Sequence, residues 1–413
     1  MVKRNRVVIT GMGVLAPNGI GLDAFWQSLL AGRSGIGAIT LFDASNLKSQ
    51  IAGEVKNFDP HQFIEPELRP RRMARHTQFA YAAAMMALND AKIDIRHGSL
   101  PSPTPVVIGV STSALDVIEK VFRDSETKGL QGVSPTALGA SKPQAAANVI
   151  ADRIGVCANA ATVSSACPSG LDAIAIACGL IRNGEAEIGI AGGADAPITE
   201  HGVASFVASG LSSAFRNGDP QKASRPFDRQ RISGVLSEGA GIVVLENLER
   251  AQARGAKIYV ELGGFGTQRD LTPDQPATGL IGAMRQALAN ANCRPSDIDY
   301  ISVYGPGDPL LDLAEIECVK QVFGPYSYIV PISSIKGVTG NPLAAGGPLQ
   351  LVSCALSIQA QLVVPTANCE DPDPRCDVNL VTLRPRKARI NRALINVRGL
   401  GGSASSFIIS RFI

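Results

Sequence analysis

Short runs of apolar, often β-branched residues alternate along the chain with longer segments of helical periodicity. The first series of predicted strands comprises residues 6–10, 105–110, 161–164, 187–191 and 241–245. The second series comprises residues 258–262, 299–303, 328–332, 378–381 and 406–409. Helical patterns such as residues 76–92 and 279–291 lie between the strands. This alternation predicts an α/β protein with largely buried sheets.

The two series of strands have similar loops and turns at corresponding places. In each, one strand opens into a polar or glycine-rich loop, at residues 109–113 and 303–308. A later strand passes through two serines into a helix, at residues 161–167 and 330–336. We interpret the repetition as an ancient duplication. The predicted domains are residues 1–255 and 256–413.

The helix predicted after Cys167 is apolar on all sides, which is typical of a buried helix. A second central helix is predicted after the serine pair of the other series. Two such helices would bring Cys167 and the loop at residues 336–341 together between the halves of the protein.

The composition excludes several classes of protein. With 413 residues, 45% hydrophobic and 18% charged, the chain can bury a large core, which excludes a disordered or fibrous protein. A net charge of +3 and 5% aromatic residues give no sign of nucleic-acid binding. Eight scattered cysteines without a CxxC motif predict free thiols in a cytoplasmic protein, with no zinc site. The longest uncharged stretch, residues 337–369, contains prolines and amides and is a poor membrane span.

Cys167 is the strongest candidate for chemistry. It follows a predicted strand and precedes Pro168, which suits the first turn of a helix. The positive end of a helix dipole lowers the pKa of a thiol, so this position predicts a nucleophile. The alternative is a small buried residue that packs between helices. The surrounding sequence SSACPSG favours the nucleophile.

Several long motifs occur in a characteristic order. They are VITGMGV (8–14), TVSSACPSG (162–170), SRPFD (224–228), SEGAG (237–241) and NVRGLGG (396–402). In these motifs the chain resembles the β-ketoacyl-acyl-carrier-protein synthases, or ketosynthases, which are condensing enzymes of type II fatty acid and polyketide synthesis. The resemblance covers nearly the whole chain. It implies a thiolase-like duplicated fold, layered α-β-α-β-α with two central mixed sheets.

The same resemblance implies partners and a substrate carrier. Relatives form dimers with a large isologous interface, so a homodimer, or a heterodimer with another ketosynthase, is expected. They take acyl groups from the phosphopantetheine arm of an acyl carrier protein and need no intrinsic cofactor. Arg69, Arg71 and Arg72 stand where relatives dock the acidic carrier, although a solvated basic face is the alternative. The basic residues between 384 and 392 are interpreted as a solvated face.

Both active-site histidines of the family are replaced in this chain. Tyr304 stands in place of the first and Asn341 in place of the second. The two threonines that bind the pantetheine arm in relatives are Pro306 and Asp308. The four histidines of the chain lie outside these motifs and are interpreted as ordinary histidines: His61, His76, His97 and His201.

Other positions of the family's site are retained. Glu315 and Lys336 match a buried pair that braces the site in relatives. The backbone N–H groups of Cys167 and Leu400 match the oxyanion-hole donors, which act whatever the side chain at position 400. Leu400 and Arg398 replace phenylalanines, the former a gating residue, so the gating of the acyl pocket is expected to differ.

These substitutions decide the predicted function. Tyrosine titrates near pH ~10 and is a poor base, and loss of general acid–base help removes a factor of roughly 10²–10⁴. The sequence therefore predicts a ketosynthase-like acyltransferase, which forms an acyl-enzyme at Cys167 without normal malonyl decarboxylative elongation. One alternative is a catalytically silent partner that resembles the chain-length factors. The other is a true β-ketoacyl synthase that uses Tyr304 and Asn341.

Overall fold

The computed structural model describes residues 4–95, 100–155, 159–212, 216–271 and 277–413. The strands are β1 (Val7–Ala16), β2 (Gly19–Ile20), β3 (Gly37–Ala38), β4 (Ile51–Ala52), β5 (Val106–Gly109), β6 (Ala160–Val163), β7 (Ile188–Asp195), β8 (Gly239–Asn247), β9 (Val260–Arg269), β10 (Tyr300–Ser302), β11 (Ile332–Ser333), β12 (Leu362–Val363), β13 (Arg386–Lys387), β14 (Arg392–Arg398) and β15 (Ser403–Ser410). The α-helices are α1 (Leu22–Leu30), α2 (Arg75–Asp90), α3 (Leu115–Lys128), α4 (Ala137–Ala140), α5 (Ala145–Ile154), α6 (Ser169–Arg182), α7 (Glu200–Ala208), α8 (Leu248–Ala253), α9 (Thr278–Asn290), α10 (Pro309–Phe323), α11 (Lys336–Thr339) and α12 (Gly346–Ala360).

The main sheet contains two five-stranded mixed sheets that share one topology, and the short strand β2 is added by pairing with β1. The strand order is β1-β8-β7-β5-β6 in the first and β9-β15-β14-β10-β11 in the second. In each, the first two pairs are antiparallel and the last two are parallel. β1 and β9 also pair at two positions, which joins the sheets into one hydrogen-bonded path. The repeated topology is that of a duplicated fold; the division after residue 255 remains our proposal.

Helices pack in three layers around these two sheets. The central helices α6 and α12 contact each other; α6 packs on β5, β7 and β8, and α12 packs on β14 and β8. Helix α2 covers β1 and β8 on the outside of the first sheet, and α9 covers β9 and β15 on the outside of the second. Both central helices are largely buried, and for α6 this confirms the prediction from its lack of a polar stripe. The layers are therefore α-β-α-β-α.

The predicted elements of the first half are confirmed, whereas two strands of the second half are wrong. Residues 378–381 form no strand, and Leu380 makes only an isolated bridge to Ile332. Residues 328–332 contribute only the first residue of β11, because the preceding chain forms a 3-10 helix and Pro331 lacks an N–H donor. The strand that completes the second sheet is β14, which is not among the predicted strands and whose last three residues belong to the motif at residues 396–402.

One segment of the described chain, Leu343–Ala360, is long and apolar enough to cross a membrane. It includes α12, and 83% of the segment is buried inside the protein. Its apolar character therefore matches that of a central core helix.

Candidate active site

Cys167 lies at a sharp turn between β6 and α6. The residue before it, Ala166, has φ of +65°, which is uncommon for a residue with a Cβ and marks a strained turn. The N–H of Ser165 donates to Ser169 Oγ at 2.8 Å and closes the turn. Pro168 directly precedes the first residue of α6. The predicted placement of the thiol at the beginning of a buried helix is confirmed.

Close backbone packing brings this turn next to the loop that carries Asn341. A Cβ on Gly170 would lie 2.2 Å from the carbonyl oxygen of Ala344 and 2.6 Å from Cγ of Pro348. Only glycine permits this approach of α6 to the beginning of α12. The two central helices thus meet at their N-terminal ends, as the sequence predicts. The second does not begin at its serine pair, however: the four-residue helix α11 follows that pair, and α12 begins only at Gly346.

Tyr304 and Asn341 lie beside the sulfur. The hydroxyl of Tyr304 donates to Cys167 Sγ at 3.4 Å, and Asn341 Nδ2 donates to the same hydroxyl oxygen at 3.3 Å. The ammonium of Lys336 lies 4.2 Å from the centroid of the Tyr304 ring, in a cation–π contact. Two successive donors therefore point toward the sulfur, and a cation lies over the ring that carries one of them.

Glu315 and Lys336 both lie in the site, but they do not form the predicted direct pair. The Glu315 carboxylate accepts the backbone N–H groups of Tyr304 at 2.9 Å and Gly305 at 2.8 Å. Lys336 Nζ instead donates to Gln350 Oε1 at 3.4 Å. The two charges still act through space, because each favours the ionised form of the other. Glu315 thus fixes the backbone of Tyr304, and Lys336 fixes its ring.

Burial dominates the ionisation of the site. It raises the pKa of Cys167, although the Tyr304 hydrogen bond and the Lys336 charge oppose this effect. The predicted lowering of the thiol pKa by the helix is therefore wrong: Cys167 is only 3% exposed, and removal of water outweighs the favourable groups. Burial also holds the pKa of Tyr304 well above its usual range, so this hydroxyl stays protonated and donates. The pKa of Lys336 falls to about 8 for the same reason.

The sulfur lines a cavity of about 310 Å³. Tyr304, Asn341 and Leu400 share its wall, and the Leu400 side chain is 56% exposed. No histidine is found among the described residues of the lining. A second depression of about 680 Å³ lies between α3 and α7, and Phe206 lines both. The predicted site residues therefore converge, without an imidazole in the described wall.

The predicted docking residues lie elsewhere on the surface. Arg69, Arg71 and Arg72 are exposed at a 3-10 turn that precedes α2, and none of them lines the cavity of Cys167. Arg75 of the same basic run pairs instead with Glu238 at 2.7 Å. His97 lies outside the described residues.

Two buried polar residues that sequence reasoning missed also support the site. Gln350 Nε2 donates to the backbone oxygens of Ser302, Val303 and Asn396, at 3.0–3.3 Å. The Asp195 carboxylate accepts N–H groups of Ser111, Thr112 and Ala344, each within 3.1 Å. An amide in the first half of an uncharged helix and an acid at the end of a buried strand were the available signals. Within the described chain, no group of three or more His, Cys, Asp and Glu side chains is placed to hold a metal ion.

Comparison with known proteins identifies the family of the chain. Sequence profiles of the β-ketoacyl synthase N-terminal and C-terminal domains match residues 4–251 and 243–370. The chain is 37% identical over 405 residues to 3-oxoacyl-(acyl-carrier-protein) synthase 2 of Synechocystis sp., with 97% of each chain covered. It is 38% identical over 418 residues to putative polyketide beta-ketoacyl synthase 1 of Streptomyces cyaneus, with 98% of each covered. The solved ishigamide ketosynthase/chain length factor has a TM-score of 0.92 at 30% identity, covering 99% of this chain and 100% of that chain. The chain belongs to the β-ketoacyl synthase family.

Proposed function

We propose that this protein is a ketosynthase-like acyltransferase that forms an acyl-enzyme at Cys167. The observation that carries the proposal is the position of the sulfur. It lines a cavity, and the protonated hydroxyl of Tyr304 donates to it at 3.4 Å. A donor at this place stabilises a thiolate, and a thiolate is the nucleophile of acyl transfer.

The proposed reaction is a thioester exchange. The Cys167 thiolate attacks the carbonyl carbon of an acyl thioester, and the oxyanion is stabilised by the backbone N–H groups of Cys167 and Leu400. The intermediate collapses with a new C–S bond to Cys167, and the pantetheine thiolate leaves. A second nucleophile then takes the acyl group and returns the sulfur to the thiolate.

Decarboxylative elongation has weaker support. That step needs donors for a developing enolate and a group that exchanges protons near neutral pH. Asn341 can donate, but burial keeps Tyr304 protonated far above neutrality. Proton transfer by Tyr304 is therefore unfavourable, and we infer that the acyl group passes to a nucleophile other than a malonyl carbanion.

We further propose that an acyl carrier protein supplies the acyl group on its phosphopantetheine arm. The name of the Synechocystis relative specifies an acyl carrier protein, and the exposed Arg69, Arg71 and Arg72 would attract an acidic carrier. Pro306 and Asp308 offer no threonine hydroxyls, so the arm would be held by other groups. The active assembly would be a homodimer or a heterodimer with a second ketosynthase.

The test is acylation of the purified chain by acyl-carrier thioesters of several lengths, followed by intact mass spectrometry. We expect one acyl adduct on the native chain and none on Cys167→Ala. Absence of an adduct at every chain length would exclude the acyltransferase. Malonyl-carrier protein is the companion substrate: release of carbon dioxide at a rate comparable with that of a complete ketosynthase would show elongation instead.

A catalytically silent partner is the second candidate. The raised pKa of Cys167 favours it, because a neutral buried thiol reacts slowly. The similarity to the ishigamide ketosynthase/chain length factor is compatible with it. Stable co-purification with a complete ketosynthase, together with an unreactive Cys167, would support this candidate. Acylation of Cys167 in a homodimer of this chain, with no other ketosynthase present, would exclude the silent partner.

A further inference from the structure

Arg398 places a guanidinium in the wall of the cavity that holds Cys167. It is the last residue of β14, and its side chain is 13% exposed. One terminal nitrogen donates to Asp270 Oδ2 at 2.8 Å. Nε is buried and has no hydrogen-bond partner in the described part of the chain. Since a guanidinium carries five N–H donors in one plane, the Asp270 contact leaves donors for a further anionic group.

Asp270 orients the guanidinium of Arg398 but does not accept from all of its N–H donors. Its carboxylate also accepts the backbone N–H groups of Ala277 at 3.2 Å and Gly279 at 2.8 Å, where α9 begins. The carboxylate is thereby shared among three donor groups. The charge of Arg398 still reaches the reaction centre, because it favours the ionised form of Tyr304. A preorganised cation with a spare buried donor thus lies in the wall of the cavity that the reactive cysteine also lines.

We propose that Arg398 binds a carboxylate carried by the acyl group that Cys167 accepts. This inference rests on the proposed acyltransferase function and defines its substrate class as short dicarboxylic acyl thioesters. The rest of the described wall is mostly apolar, with Phe206, Leu311 and Leu343 among its residues. Its one carboxylate among the described residues, Asp308, accepts the backbone N–H groups of Leu310 and Leu311 at 2.9 Å. A neutral acyl chain would leave Nε unpaired beside apolar groups, whereas a carboxylate would accept two N–H donors from the guanidinium plane.

The geometry favours the acyl group as the source of the carboxylate. Cys167 and Arg398 line one cavity of about 310 Å³, so an acyl chain bound to Sγ would lie in the cavity whose wall includes Arg398. The reaction remains a thioester exchange, in which one C–S bond forms and one breaks. The carboxylate stays ionised and takes no part in the bond changes.

The experiment compares glutaryl and pentanoyl thioesters of one acyl carrier protein, which have five carbons each and differ in the terminal carboxylate. The rate of adduct formation at Cys167 is measured by intact mass for the native chain and for Arg398→Gln. We expect Arg398→Gln to lower the glutaryl-to-pentanoyl rate ratio about tenfold or more, and Arg398→Lys to restore part of it. The change in the ratio cancels any difference in the intrinsic reactivity of the two thioesters. Arg269→Gln is the matched control, because Arg269 is an exposed arginine at the end of β9 and should keep the native ratio.

The results separate the two proposals. A ratio that is the same in the native chain and in Arg398→Gln overturns the assignment of Arg398, although both thioesters form adducts. No adduct from either thioester on the native chain overturns the proposed function itself. If Arg398→Gln does not fold, Arg398→Lys decides the question: lysine keeps the charge but loses the planar pair of donors, so the glutaryl preference should fall, and an unchanged preference overturns the inference.

Discussion

Replacement of Tyr304 with phenylalanine tests the proposed state of the sulfur. The substitution removes one hydroxyl, which donates to Cys167 Sγ at 3.4 Å and accepts from Asn341 Nδ2 at 3.3 Å. A hydrogen bond to a charged group contributes about 1.5–3 kcal/mol, and about 1.4 kcal/mol corresponds to one pKa unit. Loss of the donor should therefore raise the thiol pKa further. Because sulfur is a weak acceptor, we expect the lower end of this energy range, which means about tenfold slower alkylation at any pH below the thiol pKa.

The assay is the pH dependence of alkylation of Cys167 by iodoacetamide, located by peptide mapping because six other described cysteines are also free. Tyr300→Phe is the matched control: Tyr300 is equally buried, but its hydroxyl contacts Ser333 Oγ at 2.9 Å. It should lose some stability and keep the native alkylation profile. If the midpoint pH of Cys167 alkylation in Tyr304→Phe is equal to or lower than that of the native chain, Tyr304 does not stabilise the thiolate.

Three further substitutions test the architecture and the charges around the site. Gly170→Ala should destabilise the fold by about 1–3 kcal/mol through overpacking. Gly179→Ala is the control: no atom lies within 4 Å of the added Cβ, so this change should be neutral or slightly stabilising. Equal midpoints of urea unfolding for the two variants would contradict the prediction. Burial raises the pKa of Asp195 from 3.8 to about 6. Between these two pH values Asp195 is protonated in the folded chain and ionised in the unfolded chain. The free energy of unfolding should therefore fall by about 3 kcal/mol as the pH rises from 3.8 to about 6. Asp195→Asn should reduce this pH dependence of the free energy of unfolding, measured by urea denaturation. An unchanged pH dependence would contradict the role given to Asp195. Lys336→Met should raise the thiol pKa of Cys167 further, since the Lys336 charge favours the thiolate; faster alkylation near neutral pH would be the opposite result.

The sequence predicts the fold where local pattern and long-range packing agree. The strand before Cys167 and the apolar helix after it follow from residues within twenty positions of the thiol, and both are present. The same holds for helices 76–92 and 279–291, which the structure places at Arg75–Asp90 and Thr278–Asn290. The second sheet was less predictable because β14 begins and ends with an arginine and carries a conspicuous glycine-rich motif at its end. Its five central residues are nevertheless buried, which only the packing of neighbouring strands determines.

The candidate site was predictable in membership but not in its electrostatics. Motif positions identified Tyr304 and Asn341, and the structure places both beside the sulfur. The sequence could not show that Glu315 binds backbone N–H groups rather than Lys336, since that choice depends on angstrom-scale placement. The sign of the thiol shift was wrong for a related reason. A helix terminus is visible in a sequence, whereas the degree of burial that outweighs it depends on residues far along the chain.

Under the proposed function, the arrangement around Cys167 would separate two chemical steps, acyl transfer and decarboxylative elongation. Acyl transfer needs a stabilised sulfur anion, and the hydroxyl of Tyr304 is placed to stabilise one. Once the sulfur is acylated it carries no charge, so the same hydroxyl becomes available to a developing oxyanion. The site therefore keeps a donor for an enolate, although both histidines of the family are replaced. It loses a group that changes protonation near neutral pH, since burial holds the pKa of Tyr304 high and Asn341 does not titrate. A second substitution that returns an imidazole should then restore the lost step: Asn341→His should increase the release of carbon dioxide from malonyl-carrier protein, while Asn341→Gln should not. Equal release from the two variants would mean that the missing imidazole does not limit elongation.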